Sequence, residues 1–214
     1  YTPLFTSYKV VTLENFKMNF EVDNNGNAIA SLRHRDTGNT SNEGTLLNWQ
    51  EEFKNFGEFR DGVSQLRLKQ TQDPGDTTSD IVGSIYTTDN ANELRIVLDN
   101  DTVPGDTQVA VDAVIDPQYN YPGDGTITSV STGDRYLLLT NIPTGDGWAG
   151  SNAKANDIIE YDGSNWNVTF DSNTVATEEF TKNLTTKHKL KWTGSQWVNA
   201  FEGMYNPGYW RIYL

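Results

Sequence analysis

Acidic and aromatic side chains come together in one short stretch of the sequence, where Glu51, Glu52 and Glu58 lie near Trp49 and Phe53. Two carboxylates at a suitable separation hydrolyse a glycosidic bond, one as general acid and the other as base or nucleophile. These residues are therefore the candidates for a secreted polysaccharide-degrading enzyme. Solvated surface carboxylates are the favoured interpretation, because the chain has 29 acidic residues and only their separation in space defines a catalytic pair.

Other catalytic signatures are missing from the sequence. It contains no Gly-x-Ser-x-Gly elbow, P-loop, Gly-x-Gly-x-x-Gly or His-Glu-x-x-His motif. Its two histidines, His34 and His188, lie in polar, strand-like contexts, and the absence of cysteine excludes a cysteine nucleophile, a zinc-thiolate site and a disulfide framework. We therefore predict a protein that is not an enzyme and has no catalytic residue and no cofactor.

A near-repeat gives the strongest pattern in the chain. The stretches "NDIIEYDGSNWNVTF" and "HKLKWTGSQWVNAF" align with an offset of 31 residues, and each has an aromatic residue on either side of a Gly-Ser pair. Tyr161 and Trp166 flank the first pair, and Trp192 and Trp197 flank the second. In a hairpin such residues face each other across two strands, which stabilises the hairpin by roughly 0.2–1 kcal/mol relative to Ala-Ala. We interpret both pairs as cross-strand contacts in the core of a small domain.

A second interpretation of the aromatic residues is an exposed strip on which sugar rings stack. The candidate contact or sugar-stacking residues are Trp148, Tyr161, Trp166, Trp192, Trp197 and Trp210. Stacking needs no charged group, so composition does not decide between the two interpretations. A carbohydrate-binding or host-recognition module that contacts surface glycans is therefore the alternative function.

Two acidic stretches, "DNDTVPGD" and "DNNGN", offer oxygen ligands of the type that calcium prefers. Neither has the spacing of an EF-hand loop, and Asp and Asn are equally typical of turns in which the side chain bonds to the backbone. We predict turns at both places and no metal ligand.

The formal net charge of −13 argues against nucleic acid as a partner, because phosphates are bound by concentrated Lys and Arg. The 16 basic residues look dispersed, apart from "RHR" and "KHKLK", which are typical of alternating strand residues facing water. The mean hydropathy is −0.62 and the sequence has no long apolar run, so a membrane is not an expected partner either.

Apolar residues mostly alternate with polar ones or form short runs bounded by Gly, Pro, Asn and Asp, which predicts an all-β fold. Thirteen strands are predicted, among them "FKMNFEV", "AIASLRH", "IVGSIYT", "RYLLLT" and "YWRIYL". Only "TLLNWQEEFKNF" has apolar residues three and four apart, so residues 45–56 are the candidate helix.

Turn residues concentrate between residues 116 and 126, which makes this stretch the best candidate for a domain boundary. We predict an N-terminal β-sandwich-like domain over residues 1–117, a linker over 118–130, and a small Trp-rich β domain of hairpins over 131–214.

Three stretches of the predicted second domain stand out together: "GDRYLLLTNIP", "ANDIIEYDGSNWNVTFD" and "EGMYNPGYWRIYL". They resemble segments of virion structural proteins from T4-like contractile-tailed bacteriophages, and the resemblance covers roughly the last 80 residues. It implies a non-enzymatic assembly protein of the tail, baseplate, neck or a fibre. Its location would be the virion, assembled in the host cytoplasm, and the alternative location is extracellular. The implied partners are other virion proteins and further copies of the chain in a homo-oligomer.

The closing "YWRIYL" alternates like a strand and ends on an apolar residue, so it must be covered by its own sheet or by a partner. We expect it to be inserted in a sheet of the C-terminal domain.

Overall fold

The computed structural model describes residues 9–11, 13–34, 46–70, 75, 78–145 and 147–214. The chain forms two compact units: the first combines Tyr1–Pro104 with Phe201–Leu214, and the second is Gly105–Ala200. Parts of two predicted features, Arg35 of "RHR" and Thr45 of the candidate helix, lie outside the described residues.

The fold is all-β, as the alternating pattern predicts. The strands are β1 Val10–Val11, β2 Phe16–Val22, β3 Ala28–His34, β4 Gln65–Leu68, β5 Ile81–Thr87, β6 Glu93–Leu98, β7 Ala113–Ile115, β8 Arg135–Leu138, β9 Ile158–Tyr161, β10 Trp166–Phe170, β11 Glu179–Lys182, β12 Lys189–Trp192, β13 Trp197–Asn199, β14 Gly203–Tyr205 and β15 Trp210–Tyr213. A short helix, α1, spans Trp49–Phe53 inside the predicted stretch, and the Asn48 side chain caps it by accepting from the N–H groups of Gln50 and Glu51.

The first unit contains one eight-stranded sheet with the order β1-β15-β4-β5-β6-β3-β2-β14. Every neighbouring pair in it is antiparallel. The described strands of this unit thus form a single sheet, where the predicted sandwich would have two. The alternation that predicts a half-buried strand is the same in both architectures, so the sequence pattern does not distinguish them.

Residues alternate strictly between the two faces of this sheet. The register places Met18 opposite Leu32, and Ile85 opposite Ile96, and all four side chains are buried. Their neighbours along each strand point to the other face, because side chains alternate with a period of two. The sheet therefore has a buried inner face and an outer face, and the outer face carries most of the polar strand residues.

The C-terminal strand β15 lies inside a sheet, as expected, but in the first unit. It pairs with β1 on one side and with β4 on the other, and its Trp210 and Ile212 are buried. The prediction that it belongs to the C-terminal domain is wrong, because "YWRIYL" finds its partner strands near the beginning of the chain.

The second unit contains a four-stranded sheet, β10-β9-β8-β7, and a three-stranded sheet, β11-β12-β13. Strands β7 and β8 are parallel, and the other pairs are antiparallel. All four residues of β8 are buried, because one core includes Tyr136 and Leu138 and another includes Leu137. A continuous apolar run such as "YLL" is the pattern of a strand covered on both faces, and the next residue, Leu139, is exposed after the strand ends.

A β-bulge lets β10 contribute to both of these cores. Trp166 and Phe170 are four residues apart and would share a face in a regular strand. The register shifts between Val168 and Phe170, so that Val168 pairs with Ile159 and Phe170 pairs with Ile158. Trp166 consequently packs in the core of Tyr136, and Phe170 packs in the core of Leu137.

The predicted domain boundary lies inside the second unit. Ile127 and Val130 pack against a core of this unit, and the hydroxyl of Thr140 donates to the Asp116 carboxylate at 2.7 Å. The turn residues of this stretch build an ordered loop, and the observed boundaries follow Pro104 and Ala200. The predicted division at 117/118 and 130/131 thus differs from the observed one.

We predict that deletion of residues 209–214 unfolds the first unit and leaves the second folded. The deletion removes β15 from between β1 and β4 and takes away the buried Trp210 and Ile212. Loss of one such large side chain costs about 3–5 kcal/mol, which is already a large part of a domain's stability. Calorimetry should show one transition lost, and the separately expressed fragment 105–200 should melt at the temperature of the remaining transition. A deletion variant that keeps both transitions would contradict this assignment.

Candidate functional site

Four of the six candidate aromatic residues are buried. Trp148, Trp166, Trp192 and Trp210 have exposed fractions of 5% or less, whereas Tyr161 and Trp197 are half-buried. Trp210 belongs to the sheet of the first unit and the other five belong to the second unit. The structure therefore does not bring the six together into one exposed strip.

The two predicted cross-strand pairs are confirmed by the register. Tyr161 lies opposite Trp166 with ring centroids 5.1 Å apart, and Trp192 lies opposite Trp197 with centroids 5.7 Å apart. The ring of Phe170 packs against both Trp192 and Trp197, with ring centroids 5.4 and 5.0 Å apart. Trp166 and Trp192 are members of the two cores of this unit, and Tyr161 and Trp197 pack against those cores, so these aromatic residues are core residues.

The turns of the two hairpins are equivalent. Asp162 N–H donates to the Asn165 carbonyl, and Thr193 N–H donates to the Gln196 carbonyl, both at 3.0 Å. The first central residue, Gly163 or Gly194, has a φ of 102° or 90°, whereas the following serine is not in the positive-φ region. A glycine at that place is typical of a type II′ hairpin turn, and the positive φ explains why both copies have glycine there.

The candidate carboxylates do not face a common cleft. Glu51 and Glu58 are exposed, and Glu52 is half-buried in the first turn of α1. The nearby apolar cleft of about 160 Å³ is lined by Trp49 and Phe53 but by none of the three glutamates. Their geometry adds no support to glycoside hydrolysis.

Acidic residues in the loops bind backbone N–H groups, as the turn interpretation predicts. Asp23 accepts from the N–H groups of Asn25 and Asn27, and Asp99 accepts from Asp101. The hydrogen bond from the Asn27 side chain is the main reason why the pKa of Asp23 lies below its ordinary value. Within the residues that the structure describes, no group of three His, Asp or Glu side chains could hold a metal ion.

Basic residues collect on the outer face of the eight-stranded sheet. Within its strands, the outward positions include five cations and two acids. The cations are Lys17, Arg33, Arg67, Arg95 and Arg211, and the acids are Glu21 and Glu93. This face is therefore basic although the chain as a whole carries a net charge of −13.

Arg67 and Arg211 form the centre of this basic face. They lie directly opposite each other on β4 and β15, and with Lys69 they line a cavity of about 150 Å³. Among the described residues of its lining, Asp80 is the one that is acidic. Neither guanidinium nor the Lys69 ammonium forms an ion pair with another described residue. Like charges directly across a sheet destabilise it, so an anion bound here would relieve a repulsion that the free protein carries.

Aromatic rings hold two of these arginines in place. The guanidinium of Arg67 lies over the Tyr213 ring at 4.6 Å, and that of Arg95 lies over the Tyr86 ring at the same distance. The Nε atom of Arg67 is buried and has no hydrogen-bond partner in the described part of the chain. The Arg67 guanidinium is thus held in place and can still donate a hydrogen bond.

The sequence pattern alone does not reveal this basic cluster. The alternating stretches "QLRLK" and "YWRIYL" do place each arginine on the polar side of its strand. What the pattern does not contain is the pairing of β4 with β15, which brings residues from opposite ends of the chain together.

The described chain contains no helix of the length and apolarity needed to cross a bilayer.

We predict that the Trp192 and Trp197 rings contribute a coupled term to stability. The double alanine variant should lose about 0.5–1.5 kcal/mol less unfolding free energy than the two single variants lose together, because the ring contact can be lost only once. Urea unfolding of the two single variants and the double variant measures this term. The pair Trp192→Ala and Tyr161→Ala is the control, because these rings share no described contact and their effects should add to within about 0.5 kcal/mol. Additive effects at Trp192 and Trp197 would contradict the prediction.

We predict that acid destabilises the loop around Asp124. Hydrogen bonds from the Thr126 side chain, followed by backbone N–H groups, lower the pKa of Asp124 to about 2. Because the carboxyl has a lower pKa in the folded protein than in the unfolded chain, where it is about 3.9, it stabilises the fold at any pH above about 3.9. This contribution is lost as the pH falls toward 2. Thermal melts between pH 5 and pH 2 should therefore fall more steeply for the wild type than for Asp124→Asn. Parallel curves for the two proteins would show that Asp124 contributes nothing.

Comparison of the chain with protein-family models, curated proteins and solved structures finds no match. The likeness to virion proteins therefore depends only on the three stretches quoted above. Any function must be argued from the geometry of the chain itself.

Proposed function

We propose that this chain is a non-enzymatic structural protein of a tailed-phage virion, in the tail, baseplate, neck or a fibre, and that it works by binding neighbouring subunits. The three stretches that resemble virion proteins correspond to β8, to β9 and β10, and to β14 and β15 with their flanking turns. Each of them is part of a sheet or core, as is expected of packing motifs.

The observation that carries the proposal is the separation of charge in the first unit. An eight-stranded sheet presents an outer face with Arg67, Arg211 and Lys69 at one place and Arg95 stacked on Tyr86 at another. Arginine and tyrosine are residue types enriched in protein interfaces, because both combine large contact area with directed hydrogen bonds. A face of this composition fits an acidic protein surface.

The acidic surface can be supplied by another copy of the same chain or by another virion protein. The chain carries 29 acidic residues, so much of its remaining surface is negative. A basic face of one copy on an acidic face of the next is a heterologous contact, which closes into a ring when the rotation between copies permits it. Burial of the aromatic rings favours this function over the binding of glycans.

Sedimentation velocity over a wide concentration range tests the proposal. We expect discrete oligomers at about 0.1 M salt that dissociate near 1 M, because the Debye length falls from about 10 Å to about 3 Å. The double variant Arg67→Gln/Arg211→Gln should weaken association at least about tenfold, or about 1.4 kcal/mol.

The matched control is Lys54→Gln/Arg60→Gln, which removes the same charge from exposed residues outside the strands. This control should associate like the wild type. A wild-type protein that stays monomeric at every concentration and salt, or two double variants that behave alike, would contradict the proposal.

A further inference from the structure

A cleft of about 460 Å³ runs along the outer edge of β7 in the second unit. One wall is the edge strand itself with Asp112, and the other includes residues 126–129. Asn120, Tyr136 and Thr185 complete the lining. The cleft is thus bordered on one side by the free edge of a sheet.

The backbone of Val114 is directed toward this free edge. Leu139 N–H donates to the Ile115 carbonyl at 2.8 Å, so Ile115 bonds toward β8. Alternate residues of a strand bond to opposite sides, so the N–H and C=O groups of Val114 point away from β8. Because β7 is the edge strand of its sheet, these groups have no hydrogen-bond partner among the described residues.

The same edge is already paired just before the cleft begins. Val111 N–H donates to the Lys182 carbonyl and Leu184 N–H donates to the Val111 carbonyl, both at 2.9 Å. This parallel pairing stops at Thr185, which borders the cleft. A strand lying in the cleft would continue a row of main-chain bonds that the chain itself begins.

The opposite wall offers unpaired backbone as well. Within the described chain, the N–H and C=O groups of Thr128, Ser129 and Val130 make no hydrogen bond. Thr128 and Ser129 are exposed, so water satisfies these groups in the free protein. Both walls therefore present donors and acceptors of the kind that an extended main chain carries.

The Tyr136 side chain supplies a further polar group at the cleft. Its ring packs between Trp148 and Trp166, and the residue is only 9% exposed. Its hydroxyl has no hydrogen-bond partner among the described residues. Burial is the main cause that raises the pKa of this phenol, so it is protonated at neutral pH and can donate to a carbonyl oxygen.

The charge of the cleft limits the occupant. Among the described lining residues, Asp112 is the one that is charged, and none is Lys, Arg or His. Its Oδ2 atom accepts from the Arg135 N–H at 2.8 Å, which leaves Oδ1 without a described partner. An occupant with positive side chains is therefore complementary, whereas another copy of this chain carries a net charge of −13.

We propose that this cleft binds an extended segment of a different protein, rich in Lys or Arg, which adds a strand beside β7. Main-chain bonds to Val114 on one side and to residues 128–130 on the other hold the segment. The Tyr136 hydroxyl donates to a carbonyl of the segment and so fixes its register, and the Asp112 carboxylate favours a segment with positive side chains. The inference concerns the second unit alone, so it stands or fails independently of association through the outer sheet face of the first unit.

A blocked synthetic octapeptide of alternating Lys with Thr or Val tests the proposal, with the full chain labelled for amide NMR. We expect saturable shifts confined to the cleft, and at least tenfold slower hydrogen exchange at the amide of Val114 and at those of residues 128–130. The same peptide with N-methylated alternate residues, or with Glu in place of Lys, should bind at least tenfold more weakly.

Two substitutions test the side chains. Tyr136→Phe and Asp112→Asn should each weaken binding of the Lys peptide at least about threefold, since each keeps the shape of the residue that it replaces. The matched controls are Tyr161→Phe, in the same core, and Asp89→Asn, on the first unit, and neither should change binding.

Three outcomes would overturn the proposal. They are an absence of shifts at millimolar peptide, equal binding of the N-methylated peptide, and protection of the Val114 amide that already depends on protein concentration without peptide. The last outcome would assign the edge to a second copy of the chain.

Discussion

The pairing of β15 with β4 is the constraint on which the first unit depends. Its register puts Trp210 opposite Leu68 and Ile212 opposite Leu66 in the core, and by alternation it puts Arg211 opposite Arg67 on the outer face. A slip of one residue would bury the arginine and expose the tryptophan, so the apolar contacts fix the charged ones. The same pairing brings the chain back to its first half after the second unit, which is why that unit can be an uninterrupted insertion.

The second unit depends on a different constraint, the burial of β8 on both faces. Two cores meet at this strand, and the strands beside it must supply apolar side chains to each of them. The bulge in β10 does so for Trp166 and Phe170, and Arg135, buried in β8, is paired with Glu160 of β9. A buried charge without such a partner would cost several kcal/mol, so the ion pair is what allows an arginine at the start of an otherwise apolar strand.

Local features of this fold could be predicted from the sequence, and non-local ones could not. Strands β2, β3 and β5 have the predicted bounds, because burial of one face imposes strict alternation, and the Gly-Ser turns fix which aromatic residues face each other. Strands β11 and β14 were not predicted, since "EFTK" and "GMY" are too short and polar to show a period. The boundary was misplaced because Asp124 and its neighbours use turn residues to build an ordered loop, and a turn-rich sequence alone does not distinguish a loop from a linker.

Both candidate surfaces arise where strand pairing leaves charged or backbone polar groups without a partner among the described residues. On the first unit, pairing places two arginines side by side at a cost in repulsion that no described acidic residue offsets by an ion pair. On the second, the chain is paired at Val111, just before β7, and the outer edge is then left open at Val114. The two surfaces have opposite charge, so a partner that suits one is repelled by the other, and this difference supplies specificity without any new contact. For an assembly protein such a division would direct acidic neighbours to the sheet face and basic extended segments to the edge.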